Sequence, residues 1–191
     1  DRTSIFGILS DRQGNLWAAP FGVGVVKFDG EKEILIAEKN VLSNKFVRAL
    51  GQDCTGVIWV CSAGGLFSIK GSKAEKANFL PDHVAARSIW VDGDNSLWIG
   101  TSGQYLYHYK DKKLTHYSDS NGLLHNHVHA LWKDKKGNLW IGTGNGVHRM
   151  KDDGKISNFK YASGFCNDYI GSITEDRYGN MWFGTDRCLV R

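Results

Sequence analysis

Residues 134–143 read DKKGNLWIGT, and the chain repeats variants of that phrase: DRQGNLWAAP at 11–20, DCTGVIWVCS at 53–62, DNSLWIGT at 94–101 and DRYGNMWFGT at 176–185. Aligned on the tryptophan, Trp17, Trp59, Trp98, Trp140 and Trp182 stand 42, 39, 42 and 42 residues apart. Six residues before each stands an aspartate: Asp11, Asp53, Asp92, Asp134 and Asp176. A recurring period in this range marks a repeat architecture, in which each unit buries its faces against its neighbours.

Each unit reads as strands. Three residues before the aspartate stands Ile8, Leu50, Ile89, Leu131 or Ile173, and six before it Ile5, Val47, Ala86, Val128 or Ile170. A small residue lies four before: Gly7, Ala49, Ser88, Ala130 or Ser172. This describes a short buried strand crowded by close neighbours. The Asp-x-x-Gly that follows (Asp-Gly-Asp-Asn in the third unit) suits a turn. Its aspartate accepts backbone N–H bonds, and Gly or Asn tolerates positive φ at the fourth position. The five aspartates are therefore expected to cap turns rather than to do chemistry. NLWIGT types the second strand. Third strands are expected at 25–28, 66–69, 106–109 and 147–150, and fourth strands at 32–38, 73–80, 113–118 and 155–161. Helical periodicity is absent.

Four short antiparallel strands per unit of about 42 residues describe a blade of an all-β β-propeller. The blades are expected near 1–40, 41–80, 81–120, 121–162 and 163–191, four complete and the last lacking its outer strand. The five tryptophans are expected to wedge between adjacent sheets. With only DRTS before the first strand, we expect an arc of a larger ring, cut from a longer chain, rather than a closed five-bladed ring. Such an arc would expose apolar faces, and a homodimer is one way of covering them.

Composition narrows the function classes. Of 191 residues, 41% are hydrophobic and 23% charged, enough for a packed core. The net charge of +4 comes from Lys and Arg scattered among acids. No basic run tracks a phosphate backbone, so nucleic acid is not an expected partner. No apolar run approaches the roughly 20 residues of a membrane-spanning helix. Cys54, Cys61, Cys166 and Cys188 form no C-x-x-C pair, which argues against zinc. One disulfide fits an oxidising compartment, but the sequence does not assign its pairing.

The stretch 122–150, GLLHNHVHALWKDKKGNLWIGTGNGVHRM, resembles the regulator-propeller repeat of bacterial two-component sensors. That repeat runs roughly G-L-x-x-N-x-h-x-x-h-x-x-D-x-x-G-N-L-W-I-G-T-x-x-G-h, with h apolar. The match falls on Gly122, Leu123, Asn126, Val128, Leu131, Asp134, Gly137, Asn138, Leu139, Trp140, Ile141, Gly142, Thr143 and Gly146. Residues 163–185 form a second close copy that departs at Asp168, and 41–62 departs further, at Val41, Lys45 and Cys61. The resemblance implies a periplasmic sensor of a membrane-anchored histidine kinase, often hybrid, or of a diguanylate cyclase. It also implies paired seven-bladed rings and, in many members, a response to carbohydrate breakdown products. Kinase motifs are absent from these residues.

Propellers bind ligands where loops enter the innermost strand. Those loops, 41–46, 80–85, 121–127 and 163–169, vary among the copies while the opposite turns are nearly repeated. Variation on a shared scaffold is where function is carried. Five residues before the turn aspartate stands Phe6, Arg48, Arg87, His129 or Gly171, and this position is expected to ring the channel. The loops add Asn44, Lys45, His83, His125, Asn126, His127, Asn167, Asp168 and Tyr169. Arg suits a carboxylate, Asn suits hydroxyls, and an aromatic suits the apolar face of a sugar. The competing reading is that Arg48 and Arg87 merely fill a wet channel. His125, His127 and His129 could converge on a metal, but no nearby carboxylate completes the set. We therefore expect no metal, cofactor or catalytic residue.

Three functions compete. The first is a ligand-sensing module that binds a small solute such as an oligosaccharide, or a partner domain. The second is an enzyme like the streptogramin lyases, whose repeats carry a similar D-x-x-G-x-h-W-h phrase and whose chemistry would leave His129 as the candidate base. The third is a purely structural interaction platform.

Overall fold

The computed structural model describes residues 4–36, 46–160 and 166–191. It is all-β and forms five blades of a β-propeller, each an up-and-down antiparallel sheet. Blade 1 holds β1 (Ile5–Ser10), β2 (Leu16–Pro20), β3 (Val25–Phe28) and β4 (Glu33–Ile36). Blade 2 holds β5 (Val47–Gln52), β6 (Ile58–Ser62), β7 (Gly65–Lys70) and β8 (Lys73–Lys76). Blade 3 holds β9 (Ala86–Val91), β10 (Leu97–Thr101), β11 (Leu106–Lys110) and β12 (Lys113–Tyr117). Blade 4 holds β13 (Val128–Lys133), β14 (Leu139–Thr143), β15 (Gly146–Met150) and β16 (Ile156–Phe159). Blade 5 has three strands, β17 (Ile170–Glu175), β18 (Met181–Thr185) and β19 (Leu189–Val190).

The second and third strands fall where the alternation predicts. Fourth strands are shorter than expected: β8 stops at Lys76, and Ala77–Leu80 turn back over the blade 2–3 seam, where Ala77 and Leu80 are buried. Residues 37–38 and 161 of two other expected strands lie outside the described residues.

The repeated phrase is a turn locked to a tryptophan. In blade 4 the Asp134 carboxylate accepts the backbone N–H groups of Lys136 and Asn138 at 3.0 and 2.8 Å. Its second oxygen accepts the Trp140 indole N–H at 2.8 Å. Burial raises this carboxyl's pKa, but the bonds from Asn138 and Trp140 outweigh it and hold the group below the usual carboxylate range. The same indole bond recurs on Asp11, Asp53, Asp92 and Asp176 at 2.8–3.1 Å. The sequence gives the six-residue spacing but not this contact. In blade 3 the turn differs: Asp94 takes the Ser96 N–H at 3.0 Å, and Asn95 adopts φ 66° where the other blades have Gly.

Between blades the tryptophan faces forward and the residue before it faces back. Trp17 packs with Ile58 and Ile69 of blade 2, Trp98 with Leu139 and Met150 of blade 4, and Trp140 against Phe183 of blade 5 at 5.4 Å. Trp59 meets Phe79, which stacks on Tyr109 of blade 3 at 3.7 Å. Blade 1 has no described blade behind it. Leu16 is 43% exposed where its counterpart Ile58 is 2%, and Phe28 is 43% exposed where Ile69 is 1%.

Candidate functional site

One irregularity aims the same position of every blade into the channel. In each innermost strand the pairing register slips once: between Ile5 and Gly7, Val47 and Ala49, Ala86 and Ser88, Val128 and Ala130, and Ile170 and Ser172. The residue skipped is Phe6, Arg48, Arg87, His129 or Gly171. A bulge of this kind leaves one residue out of the ladder and re-aims its side chain. The small residue next to each bulge lets backbone pass closely. A Cβ at Gly7 would meet Ala49 Cα and the Arg48 carbonyl at 3.4 Å.

The five skipped residues, together with Tyr169, line one cavity of about 230 Å³. The Arg48 guanidinium lies over the Phe6 ring at 4.6 Å, and the His129 and Tyr169 rings are 4.6 Å apart. Neither the Arg48 nor the Arg87 side chain makes a hydrogen bond or an ion pair among the described residues, and none of the six lining residues is acidic. His129 Nδ1 is buried without a hydrogen-bond partner. Burial, reinforced by the positive charge of Arg87 and by His127 and His125, pushes the His129 pKa down to about 4. His129 is therefore a neutral imidazole at physiological pH.

The loop candidates divide. Tyr169 joins the cavity. His127 is exposed beside it, its ring 6.3 Å from that of His129. His125 accepts the His127 backbone N–H at 3.2 Å, so it shapes its own loop. Asn126 offers its backbone carbonyl to Gly103 and Tyr105 of blade 3 at 3.1 and 2.9 Å. Asn167 caps the Tyr169 N–H at 2.7 Å, and the Asp168 carbonyl accepts the Gly146 N–H at 2.6 Å. These contacts hold the rim in shape, and His125, Asn126, Asn167 and Asp168 are not among the residues that line the cavity. Asn44 and Lys45 lie outside the described residues. Among the described residues no cluster of three or more His, Cys, Asp or Glu is arranged to hold a metal.

Two features escaped the sequence reading. Phe21 bridges Phe6 and Phe46 with ring centroids 5.7 and 4.8 Å away, an exposed aromatic rim beside Arg48. These rings come from three separate segments, so no local pattern announces them. His148, fully buried in β15, accepts the Leu124 N–H at 3.1 Å and so pins loop 121–127. Burial drives its pKa down to about 4. Cys166 and Cys188 are joined in a disulfide, which ties the segment entering β17 to the β18–β19 hairpin.

The channel's other end differs in kind. Leu9, Leu50, Ile89, Leu131 and the pair Trp90–Trp132, 5.2 Å apart, line an apolar cavity of about 330 Å³. A cavity of about 450 Å³ lies on the turn side between blades 3 and 4, and its charged groups are largely paired within it: Lys110 with Asp94 at 2.8 Å, and Lys133 with Asp92 at 3.0 Å.

Residues 122–145 and 164–187 match the family model of the two component regulator propeller, so the chain carries that repeat in its fourth and fifth blades. The extracellular domain of the hybrid two component system BT3049 from B. thetaiotaomicron is similar, with a TM-score of 0.84 and 28% identity over 99% of this chain. That of BT4673 from the same organism gives 0.84 and 23% over 98%. The chain spans about a quarter of either, 26% and 27%. Virginiamycin B lyase from Staphylococcus aureus shares the fold, with a TM-score of 0.73 and 17% identity over 94% of this chain and 62% of its own. No curated protein sequence matches the chain. No helix is long and apolar enough to cross a membrane among the described residues.

Proposed function

Taking the regulator-propeller repeats as the premise, we propose that this chain is the ligand-sensing propeller module of a bacterial two-component receptor, a histidine kinase or a hybrid. On this reading it lies on the extracytoplasmic, periplasmic side. The observation that carries the proposal is the channel-mouth cavity, where five bulges bring Phe6, Arg48, Arg87, His129 and Gly171 to one small polar space. The 28% likeness to an extracellular domain of a hybrid two component system supports it. A Cys166–Cys188 bond also suits an oxidising compartment.

The ligand on this reading is a carbohydrate-type solute. Arg48, Arg87, His129 and the Tyr169 hydroxyl meet its oxygens, and the aromatic rim offers apolar ring faces. The module performs no reaction. Occupancy biases how this arc packs against further blades, a neighbouring domain or a second subunit, and so shifts a membrane-coupled equilibrium. The uncovered back of blade 1 supports an arc within a larger ring.

The test is a thermal-shift series with mono- and oligosaccharides. A ligand that binds only the folded state stabilises it by about 2.7 kcal/mol at a hundred times its dissociation constant. A saturable rise abolished by His129→Ala or Tyr169→Ala is expected. No rise with any saccharide would move the weight to a partner domain docking on the rim. Turnover of a streptogramin, lost in His129→Ala, would replace sensing with catalysis.

A further inference from the structure

We infer that the channel mouth is an anion site, built for a carboxylate carried on a small polyol. The inference rests on the channel mouth being the ligand site and adds the charge of the ligand.

Three observations meet there. Two half-buried guanidinium groups, Arg48 and Arg87, line the cavity without a carboxylate partner among the described residues. Elsewhere two half-buried lysines have an acid, Lys133 with Asp92 on the turn side and Lys76 with Asp82 on the loop side, while Arg149 instead lies over the Trp140 and Phe159 rings. A buried cation without a partner is costly unless something else neutralises it. Second, His129 presents a buried ring nitrogen with no hydrogen-bond partner, which a ligand oxygen or a bridging water would satisfy. Third, the fifth skipped position is Gly171, where the Tyr169 ring takes the place of a side chain, 3.3 Å from where a Cβ would sit, and so becomes a wall of the cavity.

The chemistry selects the ligand. A guanidinium offers paired N–H donors that match the two oxygens of a carboxylate. The Arg48 guanidinium lies over the Phe6 ring at 4.6 Å. A neutral imidazole adds a donor without adding charge. The cavity volume, about 230 Å³, falls below the roughly 300–1,000 Å³ that takes drug-sized molecules. One acidic monosaccharide unit is therefore the size expected, and the exposed Phe21 and Phe46 extend the surface for a second ring.

The test compares galacturonate with galactose, which differ in a carboxylate against a hydroxymethyl group, by calorimetric titration of the full chain. Galacturonate should bind saturably and galactose at least tenfold more weakly. Arg48→Gln and Arg87→Gln should each weaken galacturonate by roughly tenfold or more. Lys151→Gln, which removes the same charge beside a different cavity, should leave binding unchanged. Circular dichroism melts of the variants separate lost binding from lost fold. Equal binding of both sugars, unmoved by the arginine substitutions, would overturn the anion site and leave the sugar-sensing reading standing. Saturable stabilisation by acetate or sulfate alone, lost in the same two variants, would keep the anion site and sink the polyol. Silence toward all four probes would overturn both.

Discussion

The two ends of the channel are built from the same strands and obey different rules. At the turn side the five blades repeat one solution: an aspartate, two backbone N–H groups or their equivalents, and an indole N–H. At the mouth the same five blades present Phe, Arg, Arg, His and Gly. At the turns the aspartates and the repeated indole N–H groups satisfy one another, although Trp132 Nε1 and His108 Nε2 stay without a hydrogen-bond partner among the described residues. The mouth leaves two arginines and a histidine nitrogen unmet. This difference separates the residues that keep the fold from those that are free to meet something else, and it can be broken experimentally from either end.

The largest effect is expected at the turn. Asp134→Ala strands the Trp140 indole and two backbone N–H groups, and bonds to a charged acceptor are worth about 1.5–3 kcal/mol each. A loss of about 3 kcal/mol in denaturant unfolding is expected, with the mouth cavity's ligand affinity unchanged in the fraction that stays folded. Next comes the disulfide. Its sequence separation is 22, and closing a loop of that size contributes about 3 kcal/mol. Cys188→Ser should lower stability by that order, and proteolysis should then cut first in blade 5.

A smaller effect sharpens the comparison through pH. His148 and His129 titrate near 4 in the folded chain, whereas an unfolded histidine titrates near 6.5. Between those values the unfolded chain binds protons that the folded chain refuses, so stability falls as pH falls. The contribution is complete above about pH 6.5 and lost towards pH 4. His148→Leu should remove about 2 kcal/mol of that slope in urea melts at pH 7 and pH 4.5. The smallest effect is the control on the whole idea. Arg87→Gln should shift stability by no more than about 0.5 kcal/mol, because it breaks no bond the fold makes. A large loss there would mean that the arginine is structural and the two ends are alike.

Much of this was legible in the residues, for physical reasons. Asp and Trp six apart, repeated five times, require a hairpin of constant geometry, and hence blades. The position five before the aspartate stood out because Arg and His occupy it between apolar or small neighbours. A spacing, though, does not state a contact. The carboxylate–indole bond depends on how far the tight turn folds back. The Phe6–Phe21–Phe46 rim joins three segments. The Cys166–Cys188 pairing depends on which loops end side by side. Asn167 reads as a ligand group because its type suits hydroxyls, yet its side chain caps the Tyr169 N–H of its own loop, as short polar side chains in loops often do. Sequence types alone do not separate those two uses.

The bulge in each innermost strand has an evolutionary consequence. A residue excluded from the ladder is excused from sheet propensity. Its identity can change by single mutation at little cost in folding, one slot at a time, while the neighbours on either side stay fixed. Five such slots around one cavity amount to a combinatorial address. Relatives built on the same turns could have diverged in what they recognise by rewriting five letters.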